Sequence, residues 1–443
     1  VLKNALWFQD GERKVLFCGR TFSFFELKPG QSTSAVETLV QQVRTWRSLD
    51  IIRPTVPNRG FKHSLGNAVF EVTQQCTGVC AYCYIHRNHR QRSGPMMSQE
   101  IADRAVDLLS RRCAELVSLS FIGGEPLLNL PIVGHILSRL ERAGIRVLRK
   151  SLFTSAIAPA SVLIDATAMS LQFGIRWVVS CDGPAEIHDL NRGHGSYEHT
   201  SSAIRMLQAS GVEFDLAATY TPAHKSAGFL PTDVECHLRR QFPFVQKVSI
   251  ALVWPTTPEF AFPFETIREI NLNRLQKVEN ALFIFAHATR VDDVQLPRET
   301  IRPISAYMYR VRDDRVCPVS PASKLAFGAL GGVYPCFHFA DRDDARYLGA
   351  ANGLHEPEWF MEINRKGNRM PCAECFARYL CFGCPARVVR TGALPPEQYH
   401  EKRRLSGQCA RLPFFETIMR FLHRIENNPY LACRIRQAIE KEI

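Results

Sequence analysis

The residues of this 443-residue chain best suited to chemistry are its cysteines, 15 in all and unevenly spread. Cys76, Cys80 and Cys83 form a C-x3-C-x2-C array. Three thiolates on one short loop can hold three corners of a cubane iron–sulfur cluster and leave the fourth iron open. A structural zinc site would close with a fourth Cys or His. His86 and His89 follow closely enough to keep that reading open, and a disulfide is the weakest alternative. Seven further cysteines run from Cys317 through Cys336, Cys372, Cys375, Cys381 and Cys384 to Cys409. Their C-x2-C pairs suit either zinc ribbons or additional iron–sulfur clusters. The scattered Cys18, Cys113, Cys181, Cys236 and Cys433 are expected as buried small hydrophobes. Gly123-Gly124-Glu125-Pro126 offers a backbone that a ligand can approach and a carboxylate suited to an ammonium group; its bland reading is a turn.

The elements that must position these groups read as strands alternating with helices. Candidate strands are 68–72, 117–122, 146–153, 175–180, 214–220 and 248–253, with Gly144, Gly174 and Gly211 where intervening helices should end. This pattern predicts an α/β fold of parallel β/α units, an open sheet or a partial barrel, with chemistry at the C-terminal edge of the strands. The 76–83 array follows the first strand, Gly123 the second, and Ser180 ends the fourth. Residues 1–65 read as a hairpin around Asp10-Gly11, a third strand within 21–27 and a helix over 34–49. After about 310 the strands shorten and Cys, Gly and Pro become dense, with Gly331-Gly332 as a hairpin turn between 325–330 and 333–336. Such a segment is hard to stabilise by apolar packing alone and suits organisation around inorganic clusters.

Composition narrows the classes. Hydrophobic residues make up 46% and charged residues 22%, normal for a globular protein, and no apolar run approaches the ~18 residues of a membrane span. The opening VLKNALWFQDGERK lacks the order of a secretory signal, which together with the cysteine usage predicts a reducing cytoplasm. A net charge of +12 leans toward an acidic partner: nucleic acid, an anionic cofactor or an acidic peptide.

The C-x3-C-x2-C array with Tyr82 before its last Cys resembles the signature of the radical S-adenosylmethionine (SAM) superfamily. In that family the open iron binds the amino and carboxylate groups of S-adenosylmethionine, and reductive cleavage gives a 5′-deoxyadenosyl radical. Gly123-Gly124-Glu125-Pro126 resembles the motif that holds the methionine amino group. Ser180-Cys181-Asp182-Gly183-Pro184, continued by His188 to Arg192, resembles the S-x-D-G-P element of peptide- and protein-modifying members, which implies contacts from Ser180 and Arg192 to the cofactor's carboxylate and ribose. The chain departs from its relatives at Thr154-Ser155-Ala156, where they often carry T-N-G. The C-terminal array is similar to the SPASM extension, which implies two auxiliary 4Fe–4S clusters beside the radical SAM cluster. By motif position Cys372, Cys375, Cys381 and Cys409 would hold the outer one, and Cys317, Cys336 and Cys384 the inner one, whose missing eighth cysteine implies an open iron or a different ligand.

The resemblance implies a partial (β/α)6 TIM-like barrel at 66–290, a small N-terminal β-hairpin/helix module at 1–65, a linker at 291–310 and a cysteine-rich SPASM domain at 311–443. It also implies a maturase that takes hydrogen from a ribosomally made precursor peptide and installs a thioether, carbon–carbon or related link. Residues 1–65 would receive an acidic leader as an added strand, or simply cap the barrel. A flavodoxin- or ferredoxin-like protein would supply electrons. His338 and Asp341 are candidate bases. An anaerobic sulfatase-maturating activity is the alternative, weakened because Phe337 stands where that branch has an acidic residue and Ile122 where it has glutamine. Radical modification of nucleic acid is a further alternative without a dedicated binding module to support it.

Overall fold

The computed structural model describes residues 5–19, 22–38, 64–83, 94–254, 258–287, 298–309, 317, 323–339, 361, 364–365, 375–381 and 412–442. His86, His89, Asp341, Cys372, Cys384 and Cys409 lie outside them, as does 39–49 of the expected first helix.

Apolar runs in alternation with helices fold as the spacing predicts. The strands β4 (Ser64–Thr73), β5 (Glu115–Gly123), β7 (Lys150–Thr154), β8 (Ile175–Ser180), β9 (Phe214–Tyr220) and β10 (Val248–Leu252) are parallel and adjacent in that order. The expected 146–153 strand is interrupted: β6 (Arg146–Val147) and β7 both pair with β5. Between the strands run α2 (Gln99–Ser110), α3 (Leu130–Arg142), α4 (Ala160–Phe173), α5 (Ala185–Arg192), α6 (Ser196–Ser210), α7 (Pro222–Ser226) and α8 (Pro231–Gln241), after the short α1 at 33–38. The turns after α4 and α6 need a left-handed residue, and Gly174 (φ 64°) and Gly211 (φ 76°) supply it. This is a partial TIM-like barrel.

Strand alternation divides the sheet into two different faces. Leu119, Phe121, Leu152, Trp177, Val179, Leu216 and Ala218 point outward into the helix-covered core, each at most 2% exposed. Ser118, Ser120, Ser151, Val178, Ser180, Ala217 and Thr219 point the other way and stay half-buried, and Ser249 and Ala251 are exposed. A closed barrel fills this side with bulky branched residues; here small and hydroxyl side chains leave the concave face accessible. Phe153, 43% exposed, is a large apolar exception, and toward β4 the same face carries the buried Val69 and Ile122.

The hairpin after 310 does not form a separate unit. β11 (Lys324–Phe327) pairs in parallel with β4, and β12 (Val333–Tyr334) closes the hairpin, so this segment extends the barrel sheet. The paired stretch is shorter than the sequence suggests, because Gly328–Gly332 is taken up by the turn. The scattered cysteines also divide: Cys18, Cys113 and Cys181 are buried as expected, but Cys236 and Cys433 are exposed. Those two lie on the outer sides of helices, where spacing along the chain gives a thiol no apolar neighbour to pack on.

A second core joins the two ends of the chain. β1 (Ala5–Asp10), β2 (Arg13–Cys18) and β3 (Ser23–Glu26) form an antiparallel sheet whose Phe8, Val15, Phe17 and Phe22 pack with α9 (Phe264–His287), α10 (Arg298–Met308), Phe376–Leu380, α11 (Leu412–Glu426) and α12 (Pro429–Glu442). At its edge His423 is buried between two carboxylates, Nδ1 at 2.8 Å from Asp10 and Nε2 at 3.0 Å from Glu26. Removing the imidazole deletes both hydrogen bonds, while Glu26 keeps Arg13 and Asp10 keeps Arg424. His423→Leu should therefore lower unfolding free energy by about 2 kcal/mol and speed proteolysis within 5–26; a urea titration unchanged from wild type would contradict this docking role.

Candidate active site

The site is built where β4, β5, β7 and β8 end. After Thr73 the chain enters the cysteine loop, and after Ile122 it enters the glycine pair; the two loops are fastened backbone to backbone. Gly124 N donates to Thr73 O (2.9 Å) and Glu125 N to Gln75 O (2.8 Å). A Cβ on Gly123 would collide with the Thr73 carbonyl, and one on Gly124 with that of Gln75. These glycines are thus required first by the neighbouring strand's loop, a reason the sequence alone does not reveal. Gly123, at φ 149°, is in backbone space that side chains rarely enter.

Fastening places Glu125 as the N-cap of the short 3-10 helix Pro126–Asn129, fully buried. Its carboxylate accepts from Thr154 Oγ1 (2.6 Å), Ser155 Oγ (2.6 Å), Ser155 N (2.9 Å) and Leu127 N (3.2 Å). Burial raises its pKa, and the Ser155 and Thr154 hydrogen bonds work against that rise. Thr154-Ser155-Ala156, a departure from the family pattern, therefore serves as the grip on Glu125. Ala156 takes the left-handed φ of 58° that glycine would adopt more easily.

Asp182, immediately after β8 and wholly buried, gathers the other side of the site. Its carboxylate accepts from Tyr82 OH (2.8 Å), Thr219 N (2.9 Å) and Asn191 Nδ2 (3.3 Å). Arg192 grips it with two nitrogens, Nη2 at 3.0 Å from Oδ1 and Nε at 3.0 Å from Oδ2. Asp182 N donates to His188 Nδ1 (3.2 Å), and His224 Nε2 meets its carbonyl oxygen. Burial opposes the charge on Asp182, but the Arg192 guanidinium overrides it and holds the carboxyl below its usual range. Arg192, expected from the resemblance to meet the cofactor, is seated on Asp182, its guanidinium 5.5 Å from the centre of the Tyr82 ring. Ser180 ends β8 half-buried on the concave face.

The cysteine loop lies between these two centres. Burial pushes the Cys76 thiol up to about 12, with Glu125, Cys80 and Cys83 adding to the rise. Burial also raises Cys80, while Arg192 pulls it down. Gly78 N donates to Cys76 Sγ (3.3 Å), and a Cβ on Gly78 would stand 3.5 and 3.6 Å from the sulfurs of Cys76 and Cys80. Among the described residues no three His, Cys, Asp or Glu side chains converge as a single metal ion requires. Crowded thiols around a glycine cradle, with a buried carboxylate on one side and a guanidinium on the other, fit a larger cationic cluster that would deprotonate them.

The rest of the expected set is dispersed. Cys336 and Phe337 pack with Val69, Ile122 and Tyr334 beside Trp254, on the concave side of the sheet. The His338 ring is tilted against Trp254 (centroids 4.5 Å apart) and Phe337 (3.9 Å). Cys375 and Cys381 instead pack on the second core. All four candidate auxiliary cysteines described (Cys317, Cys336, Cys375 and Cys381) are half-buried. The motif continued from His188 to Arg192 contains His188 and Asn191 but assigns them no role; Thr219 and His224 escape sequence reading, because their signal exists only in three dimensions.

Comparison with known proteins agrees with this geometry: residues 70–221 match the Radical SAM superfamily. Residues 70–221 are a radical SAM domain. The chain therefore contains the domain of enzymes that generate a radical from S-adenosylmethionine. A relative, the AdoMet-dependent heme synthase of Oleidesulfovibrio alaskensis, is 24% identical over 343 residues, covering 72% of this chain and 82% of that protein. The radical SAM fold is also that of anSMEcpe, an anaerobic sulfatase maturase solved with bound AdoMet (TM-score 0.56, 16% identity, 79% of this chain and 100% of that one). Streptococcus suis SuiB, solved with its precursor peptide SuiA, shares it too (TM-score 0.51, 13% identity, 87% of this chain and 95% of that one).

Two outcomes test the network. Asp182→Ala should cost about 3–5 kcal/mol of stability, because Arg192 is left charged and buried; a denaturation midpoint near wild type would contradict it. His188 is wholly buried, and burial pushes its pKa down to about 4 from 6.5. Between those values the unfolded chain binds more protons than the folded one, so stability rises with pH from 4 to 6.5 and is lost on acidification. The loss is at most about 3 kcal/mol, and His188→Gln should flatten the slope; an equally steep pH profile in that variant would remove the assignment.

Proposed function

We propose that this radical SAM enzyme is a maturase that abstracts hydrogen from a ribosomally made precursor peptide and installs a thioether, carbon–carbon or related link. The observation that carries the reading is the accessible concave face, lined by Ser118, Ser120, Ser151, Ser180 and Thr219, running up to the Glu125 and Cys76 loops. Small hydroxyl-bearing residues leave room for an extended backbone and can hydrogen-bond to it. The peptide bound to SuiB supports the same substrate class.

In this reading Cys76, Cys80 and Cys83 hold the radical SAM 4Fe–4S cluster. Glu125, held by Thr154 and Ser155, receives the methionine ammonium within Gly123–Pro126. Tyr82, Ser180, Asp182 and Arg192 shape the carboxylate and ribose side. When bound, the cluster and S-adenosylmethionine supply the hydrogen-abstracting radical. Cys317, Cys336, Cys372, Cys375, Cys381, Cys384 and Cys409 hold two auxiliary clusters. Cys336 borders the concave face, so the inner one adjoins the substrate, with His338 as a candidate base and Asp341, five positions after Cys336 in the sequence, as the other. Among the described residues β1 and β3 are the two edges of their sheet, and an acidic leader strand would pair with one of them. The reaction takes place in a reducing cytoplasm with a flavodoxin- or ferredoxin-like donor; among the described residues no helix is long and apolar enough to cross a membrane.

Sulfatase maturation is disfavoured because Phe337, tilted against His338 with Lys324 Nζ 5.8 Å from its ring centre, offers no carboxylate. A second reading, haem formation from a tetrapyrrole, is favoured by one observation: the heme synthase match extends well beyond the radical SAM domain.

Anaerobic reconstitution should give about twelve irons per chain and 5′-deoxyadenosine with reductant, both reduced in Cys76→Ala. Mass spectrometry should then show change in a co-encoded small peptide. Tightly held zinc without cleavage would contradict the reading, and turnover of an iron porphyrin precursor alone would replace the peptide with the tetrapyrrole.

A further inference from the structure

Asn364, which no motif singles out, is 2% exposed and makes two hydrogen bonds to one distant residue. Its Oδ1 accepts from Cys317 N (2.7 Å), and its Nδ2 donates to Cys317 O (2.9 Å). One carboxamide thus satisfies both main-chain groups of a residue 47 positions away, as a partner strand would in an antiparallel rung. With N–H and C=O both held, the Cα–Cβ direction of Cys317 is set, and its thiol keeps only rotation about χ1.

We propose that Asn364 is the positioning residue for Cys317, aiming its thiolate at the inner auxiliary cluster before iron arrives. The proposal rests on the auxiliary-cluster reading above. Among the described residues both hydrogen bonds of this buried amide go to one backbone, and leaving buried peptide groups unpaired is costly. The donor type suits the group: the sulfurs of Cys317 and Cys336 belong to half-buried residues, unlike those of the core cysteines Cys18, Cys113 and Cys181. Soft thiolates select iron–sulfur clusters or zinc. An inner site with fewer than four cysteines gains most from a pre-aimed ligand, since each remaining thiolate carries a larger share of the holding.

The test uses the full chain carrying Cys76→Ala, Cys80→Ala and Cys83→Ala, so that any iron left is auxiliary. This background should retain about eight irons per chain. Adding Asn364→Leu, close in shape but without hydrogen bonds, should remove about four of them and one of two electron paramagnetic resonance signals of the reduced protein. Asn364→Asp, which keeps the acceptor for Cys317 N and loses the donor, should retain more iron than Asn364→Leu, with a shifted signal. Unchanged iron and lineshape in both variants would overturn the positioning role while leaving the clusters standing. A background that holds no iron would overturn the auxiliary-cluster reading itself, and the proposal with it. Circular dichroism melting of the metal-free proteins separates either result from misfolding, because Asn364→Asp changes no side-chain volume of consequence.

Discussion

A buried carboxylate bound to a buried guanidinium is the constraint on which the radical SAM site depends. Asp182 and Arg192 are both almost fully removed from water, and neither charge is tolerable without the other. Once paired, they recruit Tyr82 from the cysteine loop, Thr219 from β9 and Asn191 from α5. His224 and His188 take up the Asp182 backbone. Four separate segments of chain are thereby held to one point beside Cys80. The cost of desolvating the pair is offset by hydrogen bonds that simultaneously fix the cluster loop, so stability and site geometry are set by the same atoms.

The opposite wall follows a different logic. Glu125 has no cation of its own within the loop; hydroxyl and amide donors from Thr154, Ser155 and Leu127 hold it. A carboxylate so held is fixed in place yet still able to accept from an ammonium. Cys76 feels the Glu125 charge and Cys80 the Arg192 charge. The cysteine loop therefore spans a gradient from acidic to basic, which matches the ammonium and carboxylate ends of an amino acid held against one iron.

Much of this was legible in the sequence. The parallel strands follow from apolar runs of about the right length, and 175–180 and 214–220 coincide with β8 and β9 residue for residue. The cysteine spacing and Gly123–Pro126 mark the site because local motifs carry their chemistry within a few residues. What stayed hidden depends on contacts across long separations. Nothing near Thr154 announces a grip on Glu125 29 residues earlier. Tyr82 and Asp182 are 100 residues apart, and Asn364 reaches back to Cys317. The hairpin after 310 reads as its own domain because its strands are short, yet short strands are sufficient when an existing edge, β4, templates them. The exposed Cys236 and Cys433 show the reverse limit: residue type predicts burial only on average.

The most direct measurement is electron paramagnetic resonance of the reduced, reconstituted protein titrated with S-adenosylmethionine. If Glu125 and the Asp182–Arg192 pair flank a cluster with an open iron, the signal of that cluster changes with S-adenosylmethionine in the wild type. The change is then lost in Glu125→Ala, while the cluster itself remains. An identical spectrum with and without S-adenosylmethionine, or an undiminished response in Glu125→Ala, would contradict the account.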